Sequence, residues 1–269
     1  MRAESALAWG PGVHTLAALT VLNEVTYTLP EIARIITAFP REFLYGSLAA
    51  DFFVGKSRIS EEDHLHNWDG GFRFLEESRD DWEASYAYGF LSHLAADVIA
   101  HNFFIPGLIN SSQNRPRRGH IYWEILADHL LGSPYLKIAN QVLSMDHAWC
   151  DERLFAMNGK SRNGFKAKKR IYTHSVKLSD YLYETQHLLF NGRAARRHSF
   201  HRYLASMVRT SCRLVRDLLN HPESSPCLLY DPMGRRNIRL AKRDRLLNRL
   251  FSMNRPSRRF SIDPQLLEL

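Results

Sequence analysis

Apolar residues recur along the chain at steps of three and four, and no long stretch alternates apolar with polar positions. The pattern predicts a mostly helical, multi-helix protein. A first helix is expected from about His14 to Tyr27, ended by Leu29-Pro30. Pro30 then opens a second over Glu31 to Ala38, and Pro40 a third over Arg41 to Phe53. Gly55 to Gly71 is charged and rich in small residues and reads as a loop. A long helix fits Asp80 to Phe104 and is expected to stop before Pro106, because proline lacks the amide a helix interior needs. Residues 110–118 read as a polar loop, Gly119 to Leu131 as a helix and 158–170 as a basic loop. Two more helices fit 171–190 and 197–219. The Pro/Ser stretch 222–226 is expected to end the compact part. That divides the chain into one helical domain over 1–225 and a basic, partly amphipathic or flexible tail over 226–269. No run of about 18 uncharged apolar residues is present, so no transmembrane helix is expected.

Composition adds exclusions. The chain has 269 residues, 45% hydrophobic and 24% charged, which is ordinary for a globular protein and excludes global disorder. Its three cysteines, Cys150, Cys212 and Cys227, are too few and scattered for a disulfide framework or a cysteine zinc site. The formal net charge is +8, but residues 1–110 carry seven basic against fifteen acidic side chains, a net −8. The rest carries +16, of which residues 235–259 supply +9. An acidic front with a basic rear is not a uniform nucleic-acid binder. The N-terminus lacks the apolar core of a secretory signal, so a cytoplasmic or peripheral-membrane location is expected, and secretion only if the start hides a signal.

The acidic front is also where histidines meet carboxylates. His93-x3-Asp97-x3-His101 lies on the predicted long helix. Steps of four rotate by only about 40°, so the three side chains share one face and climb about 12 Å along it. That length is too great for one tetrahedral zinc and suits two metals joined by the central carboxylate. The alternative is a buried polar row satisfied by neighbours. His120-x3-Glu124 gives a second pair on one helical face. Asp51, His66 and His14 bring the set to five histidines and three carboxylates, enough for two zinc sites and part of a third.

In this order, Trp9, His14, Asp51, His66, His93-x3-Asp97, His101 and His120-x3-Glu124 resemble the zinc-dependent phospholipase C family. Glycosylphosphatidylinositol-cleaving phospholipase D and the fungal three-zinc single-strand nucleases are related to it. The resemblance implies an all-helical fold around a trinuclear zinc cluster. It assigns Asp51, His66, His93 and Asp97 to a first zinc and His101, His120 and Glu124 to a second. His14 and Asp97 go to a third, with Asp97 bridging and Asp51 as general base for an attacking water. Family members use an N-terminal tryptophan at the third zinc; Trp9 is internal, which leaves only its backbone carbonyl unless residues 1–8 are removed. Of the family's choline-headgroup positions Phe52 fits, as a substrate-binding aromatic, whereas Gly12 and Asp63 do not.

The resulting expectation is a zinc-dependent phosphodiester hydrolase acting on phospholipids through a metal-bound water. Its partner would be a phospholipid or a membrane surface. The alternatives are a nuclease or other phosphodiesterase on the same cluster, or a zinc-binding, lipid-binding module without turnover. Glu124 favours lipid, since the related nucleases tend to carry His-x3-Asp there. Trp68, Phe72 and Tyr122 could stack on bases in a nuclease. Leu240, Leu246, Leu247, Leu250 and Phe251 gather on one side of a basic helix that could dock on anionic lipid. Other signals are set aside. Val54-Gly55-Lys56-Ser57 lacks the first glycine of a phosphate loop. His64 reads as a loop residue, His129 as helix surface, and His198 and His201 as a solvated basic face. Tyr122 and Trp123 read more as core than as pocket lining.

Overall fold

The computed structural model describes residues 9–53, 65–111, 120–158, 162–183, 198–251 and 258–269, and among these it contains helices and no strand. α1 (Pro11–Asn23), α2 (Pro30–Ala38) and α3 (Pro40–Ala49) each begin on a proline, whose fixed φ suits a first turn that has no amide bond to lose. Short 3-10 turns follow α1 at Val25–Tyr27 and α3 at Ala50–Phe53. α4 (Trp68–Glu76) is capped by Asn67, whose side chain accepts from the Gly70 amide at 2.7 Å. α5 (Asp81–Ile99) starts on Asp80, which accepts from the Glu83 amide while the Glu83 carboxylate accepts from the Arg79 amide. This reciprocal arrangement satisfies amides that the helix itself cannot.

α5 continues through a π turn (Ala100–Phe104) into α6 (Ile105–Ser111). Then come α7 (His120–Leu131), α8 (Ser133–Ser144), α9 (Ala148–Asn158), α10 (Arg162–Tyr181) and α11 (His198–Asn220). A 3-10 turn at Pro226–Leu229, α12 (Arg235–Phe251) and the short α13 (Pro264–Leu267) follow.

α5 is the axis of the fold. It packs against α1, α2, α3, α4 and α11, and every residue from Gly89 to Pro106 is buried. Such a helix is enclosed on all sides rather than amphipathic. Its tightest neighbour is α3. A Cβ on Gly46 would lie 2.1 Å from the Tyr86 carbonyl oxygen, and one on Gly89 would lie 2.0 Å from that of Phe43. Only hydrogen fits at this crossing. The approach brings the Ser47 carbonyl within 2.9 Å of His93 Nδ1.

Several expectations need correction. The long helix does not stop before Pro106; it runs through it. Proline at 106 would leave the Asn102 carbonyl without its helical donor. Here Asn237 of α12 donates to that carbonyl at 3.0 Å, and the π turn absorbs the change of register. α4 begins inside the expected 55–71 loop, at the Asn67 cap. α10 begins at Arg162, inside the expected basic loop, because Phe165 extends the buried stripe of Tyr172 and Val176. The compact body does not end at 222–226 either. Cys227 is buried, Trp68 Nε1 donates to the Tyr230 carbonyl at 2.8 Å, and Asn102 Nδ2 donates to that of Asp231 at 2.9 Å. The basic segment is a helix lying on α6 and the π turn, with Ile238 and Ala241 buried and Leu246 and Leu250 exposed. The cysteines are free, as expected. The segment Val54-Gly55-Lys56-Ser57, His64 and Asp63 lie outside the described residues.

Replacing Gly89 with alanine is expected to destabilise the protein by about 1–3 kcal/mol, the usual range for overpacking a closed contact. Urea denaturation of Gly89→Ala against the parent measures it.

Candidate metal centre

Asp97 stands among four imidazoles. Its Oδ2 lies 3.2 Å from His93 Nε2, 3.5 Å from His101 Nε2 and 3.6 Å from His66 Nε2; its Oδ1 lies 3.4 Å from His14 Nε2. His93 and His101 sit one turn before and one turn after Asp97 on the same face. His14 comes from α1 and His66 from the segment before α4. Asp51, in the 3-10 turn after α3, brings Oδ1 to 3.7 Å from His93 Nε2. All six side chains are buried.

The hydrogen bonding prepares these groups for a cation. His93 Nδ1 donates to the Ser47 carbonyl, which leaves Nε2 with a lone pair facing inward. His66 Nε2 stands 3.0 Å from that nitrogen. Two imidazole nitrogens so close either share a proton or turn both lone pairs onto one positive ion. The His14 ring stacks on His93 with centroids 3.8 Å apart. Two groups, His14–Asp51–His93 and His66–His93–Asp97, have donor atoms within 4.8 Å of one another. Neither ring nitrogen of His14 or His101 makes a hydrogen bond, nor does Asp97 Oδ1 or Glu124 Oε1. Each buried polar atom left so costs about 1–3 kcal/mol. A cation among them would engage those atoms together. Imidazole and carboxylate donors suit zinc, so the residues fit a zinc site.

The carboxylates make the same point. Asp51, Asp97, Glu124 and Asp128 are all buried, and among the described residues no lysine or arginine pairs with them. Burial pushes the Asp51 carboxyl up to about 7, opposed in part by His93. Burial, then the neighbouring Asp51, Asp97 and Asp128, push Glu124 well up. Burial pushes Asp97 up too, but His93 and His101 outweigh it and hold that carboxyl well below its ordinary range. A cluster of this kind calls for positive charge.

Two contributing residues escape a reading of the sequence. Tyr172 of α10 donates its hydroxyl to Asp51 Oδ2 at 3.1 Å. Asp128 of α7 accepts from the Gly12 amide at 3.1 Å and the Val13 amide at 3.0 Å. The local cap position of α1, Gly10, has no side chain for this, so Asp128 caps α1 from a distant helix and steadies the turn that carries His14. Burial raises the Asp128 carboxyl to about 7 against these two amide bonds. Asp128 lies four residues past Glu124, so the continuation of the His120-x3-Glu124 pattern was its only signal.

A cavity of about 270 Å³ opens beside the centre. Asp51, Glu124 and Asp128 line it together with Leu136, Ile171 and Tyr172. His120 opens α7, but its side chain lies outside the described residues. Trp9 also lines the cavity; its indole is buried and donates to the Ala96 carbonyl at 3.1 Å and to Ser211 Oγ at 3.0 Å. Phe52 is buried edge-on against Tyr172 and is not part of the cavity lining. His129 is not on the helix surface: it is buried, its ring 4.9 Å from that of Tyr183, which lies two residues past the end of α10 and donates its hydroxyl to the His129 carbonyl at 3.0 Å. Trp123 is half-buried against Phe200, and His198 and His201 are exposed.

Residues 13–192 match the family described as zinc dependent phospholipase C, a span that takes in every candidate ligand except Trp9. Comparison with curated proteins and with solved structures returned no match.

Asp128→Ala strands the buried Gly12 amide and leaves the Val13 amide only its bond to the Gly10 carbonyl, and is expected to destabilise the protein by about 1–3 kcal/mol. Chemical denaturation reads the change. Amide hydrogen exchange should locate its origin in the first turn of α1.

Proposed function

Because the chain belongs to the zinc-dependent phospholipase C family of hydrolases, we propose that it cleaves a phosphodiester bond of phospholipids at a centre built on Asp97. The observation that carries this reading is the convergence of His14, His66, His93 and His101 on one buried carboxylate, with polar atoms left unpaired. In this reading His66, His93, Asp97 and Asp51 would hold one zinc, and His101, Glu124 and His120 a second. His14 and Asp97 would hold a third, with the Trp9 carbonyl as the remaining candidate. Bound zinc supplies Lewis-acid polarisation of the phosphoryl oxygens and lowers the pKa of water toward about 7.

The chain's own residues do the rest. Asp97 turns Oδ2 toward His66, His93 and His101 and Oδ1 toward His14, which suits a bridging carboxylate. The Ser47 carbonyl accepts from His93 Nδ1 and holds the ring with Nε2 turned toward Asp97. Asp51 is the base: the Tyr172 hydroxyl occupies Oδ2, and Oδ1, on the side of His93, takes the proton of the attacking water. Leu136, Ile171 and Val176 make the cavity wall apolar and limit water around the reacting phosphate. Glu124 supports lipid over nucleic acid, given the related nucleases' preference for aspartate there.

Elemental analysis of the purified protein is expected to find at least two zinc ions per chain. Chelation should abolish phosphatidylcholine hydrolysis and added zinc should restore it. Asp97→Asn should lose most of the zinc and all measurable turnover. Full zinc retention by that variant, or turnover of single-stranded DNA in place of lipid, overturns the reading.

A further inference from the structure

α10 presents different residues to different surroundings as it turns. Phe165, Tyr172 and Val176 are buried, and Tyr172 reaches Asp51. Ile171, Ser175 and Ser179 line the cavity beside the metal centre. Ile171 is nevertheless 70% exposed, so the cavity meets solvent alongside it. Leu178 is 56% exposed and Tyr181 is 83% exposed. At roughly 100° per residue, Ile171 and Leu178 stand about 20° apart and Tyr181 about 60° further round. Arg170, Lys177 and Lys166 follow at steps of about 20°, all exposed. α10 as a whole carries six basic residues and one acidic, Asp180.

A ridge of large exposed apolar side chains at the mouth of a cavity is an unusual feature of a solvated surface. With cations along one edge it has the pattern of a helix that lies in a bilayer interface. Tyrosine favours the headgroup level, and lysine and arginine are drawn to anionic headgroups. We propose that α10 is a membrane-docking helix for an anionic phospholipid bilayer. Ile171, Leu178 and Tyr181 enter the interface, and Lys166, Arg170 and Lys177 meet the lipid phosphates. The cavity mouth is thereby set against the lipid surface. The proposal rests on the phospholipase reading for its purpose, while the docking itself is a separate, measurable event. α12 also exposes Leu246 and Leu250 among arginines, but it lies on α6 and the π turn and lines no part of this cavity. It serves as the control.

The test is co-sedimentation of the full chain with vesicles. One set is phosphatidylcholine and phosphatidylglycerol in equal parts; the other is phosphatidylcholine alone. Binding is expected to the mixed vesicles, weakening in high salt and without the anionic lipid. The combined Lys166→Gln, Arg170→Gln, Lys177→Gln variant should bind the mixed vesicles roughly a hundredfold more weakly, from about 1 kcal/mol for each charge removed. Leu178→Ser with Tyr181→Ser should weaken binding to both kinds of vesicle. Both variants should keep the parent's hydrolysis of a soluble short-chain phosphatidylcholine and its thermal unfolding midpoint. Leu246→Ser with Leu250→Ser should bind as the parent does. The proposal falls if the parent does not sediment with the mixed vesicles, if the α10 variants bind as it does, or if only the α12 variant loses binding. If binding follows α10 but the short-chain lipid is not hydrolysed even by the parent, docking stands and the phospholipase reading fails.

Discussion

A carboxylate at the middle of a fully enclosed helix can remain ionised only if positive charge reaches it. Asp97 is in that position, and the surrounding architecture aims at it, from four directions, imidazoles able to hold a cation there. Its own helix supplies His93 and His101, α1 supplies His14, and the segment before α4 supplies His66. Three of the four imidazoles, those of His14, His66 and His101, lie 3.4–3.6 Å from the carboxylate, too far for good hydrogen bonds, and the rings are too close together to be left without a common partner. A cation resolves both conditions at once. The packing around α5 holds these groups in place.

That packing has its own physical logic. Gly46 and Gly89 let α3 and α5 approach until only hydrogen separates their backbones. The same approach delivers the Ser47 carbonyl to His93 and so selects the ring tautomer that faces inward. Asp128 ties the start of α1 to α7, which sets His14 and Glu124 in one frame. Tyr172 connects α10 to Asp51, and the opposite side of that helix meets solvent at the cavity mouth. Chemistry and access to substrate therefore depend on helices that lie far apart in the chain.

Much of this was legible in residue spacing. His93-x3-Asp97-x3-His101 predicts a shared face because the period of an α-helix is a local property, and the structure keeps that face. The prolines that open α1, α2 and α3 act within one turn, so two of those starts could be placed to within a residue. Pro106 misled because the donor that satisfies Asn102 is Asn237, more than a hundred residues later. The basic segment after residue 225 looked like a tail for a related reason: its charges are visible in sequence, but the α6 surface that covers Ile238 and Ala241 is not.

The sequence by itself determined the helical class, the ordered set of histidines and carboxylates and, through them, the family. Each of these is carried by residue type and short-range spacing, which need no knowledge of how the chain folds back. Only the tertiary structure decided that Asp97 faces four imidazoles at once, that Asp128 and Tyr172 support the centre, and that His129 is buried. It also decided which basic helix stands at the cavity mouth. Burial and long-range hydrogen bonds are properties of pairs of segments, and no single segment carries them in its own pattern.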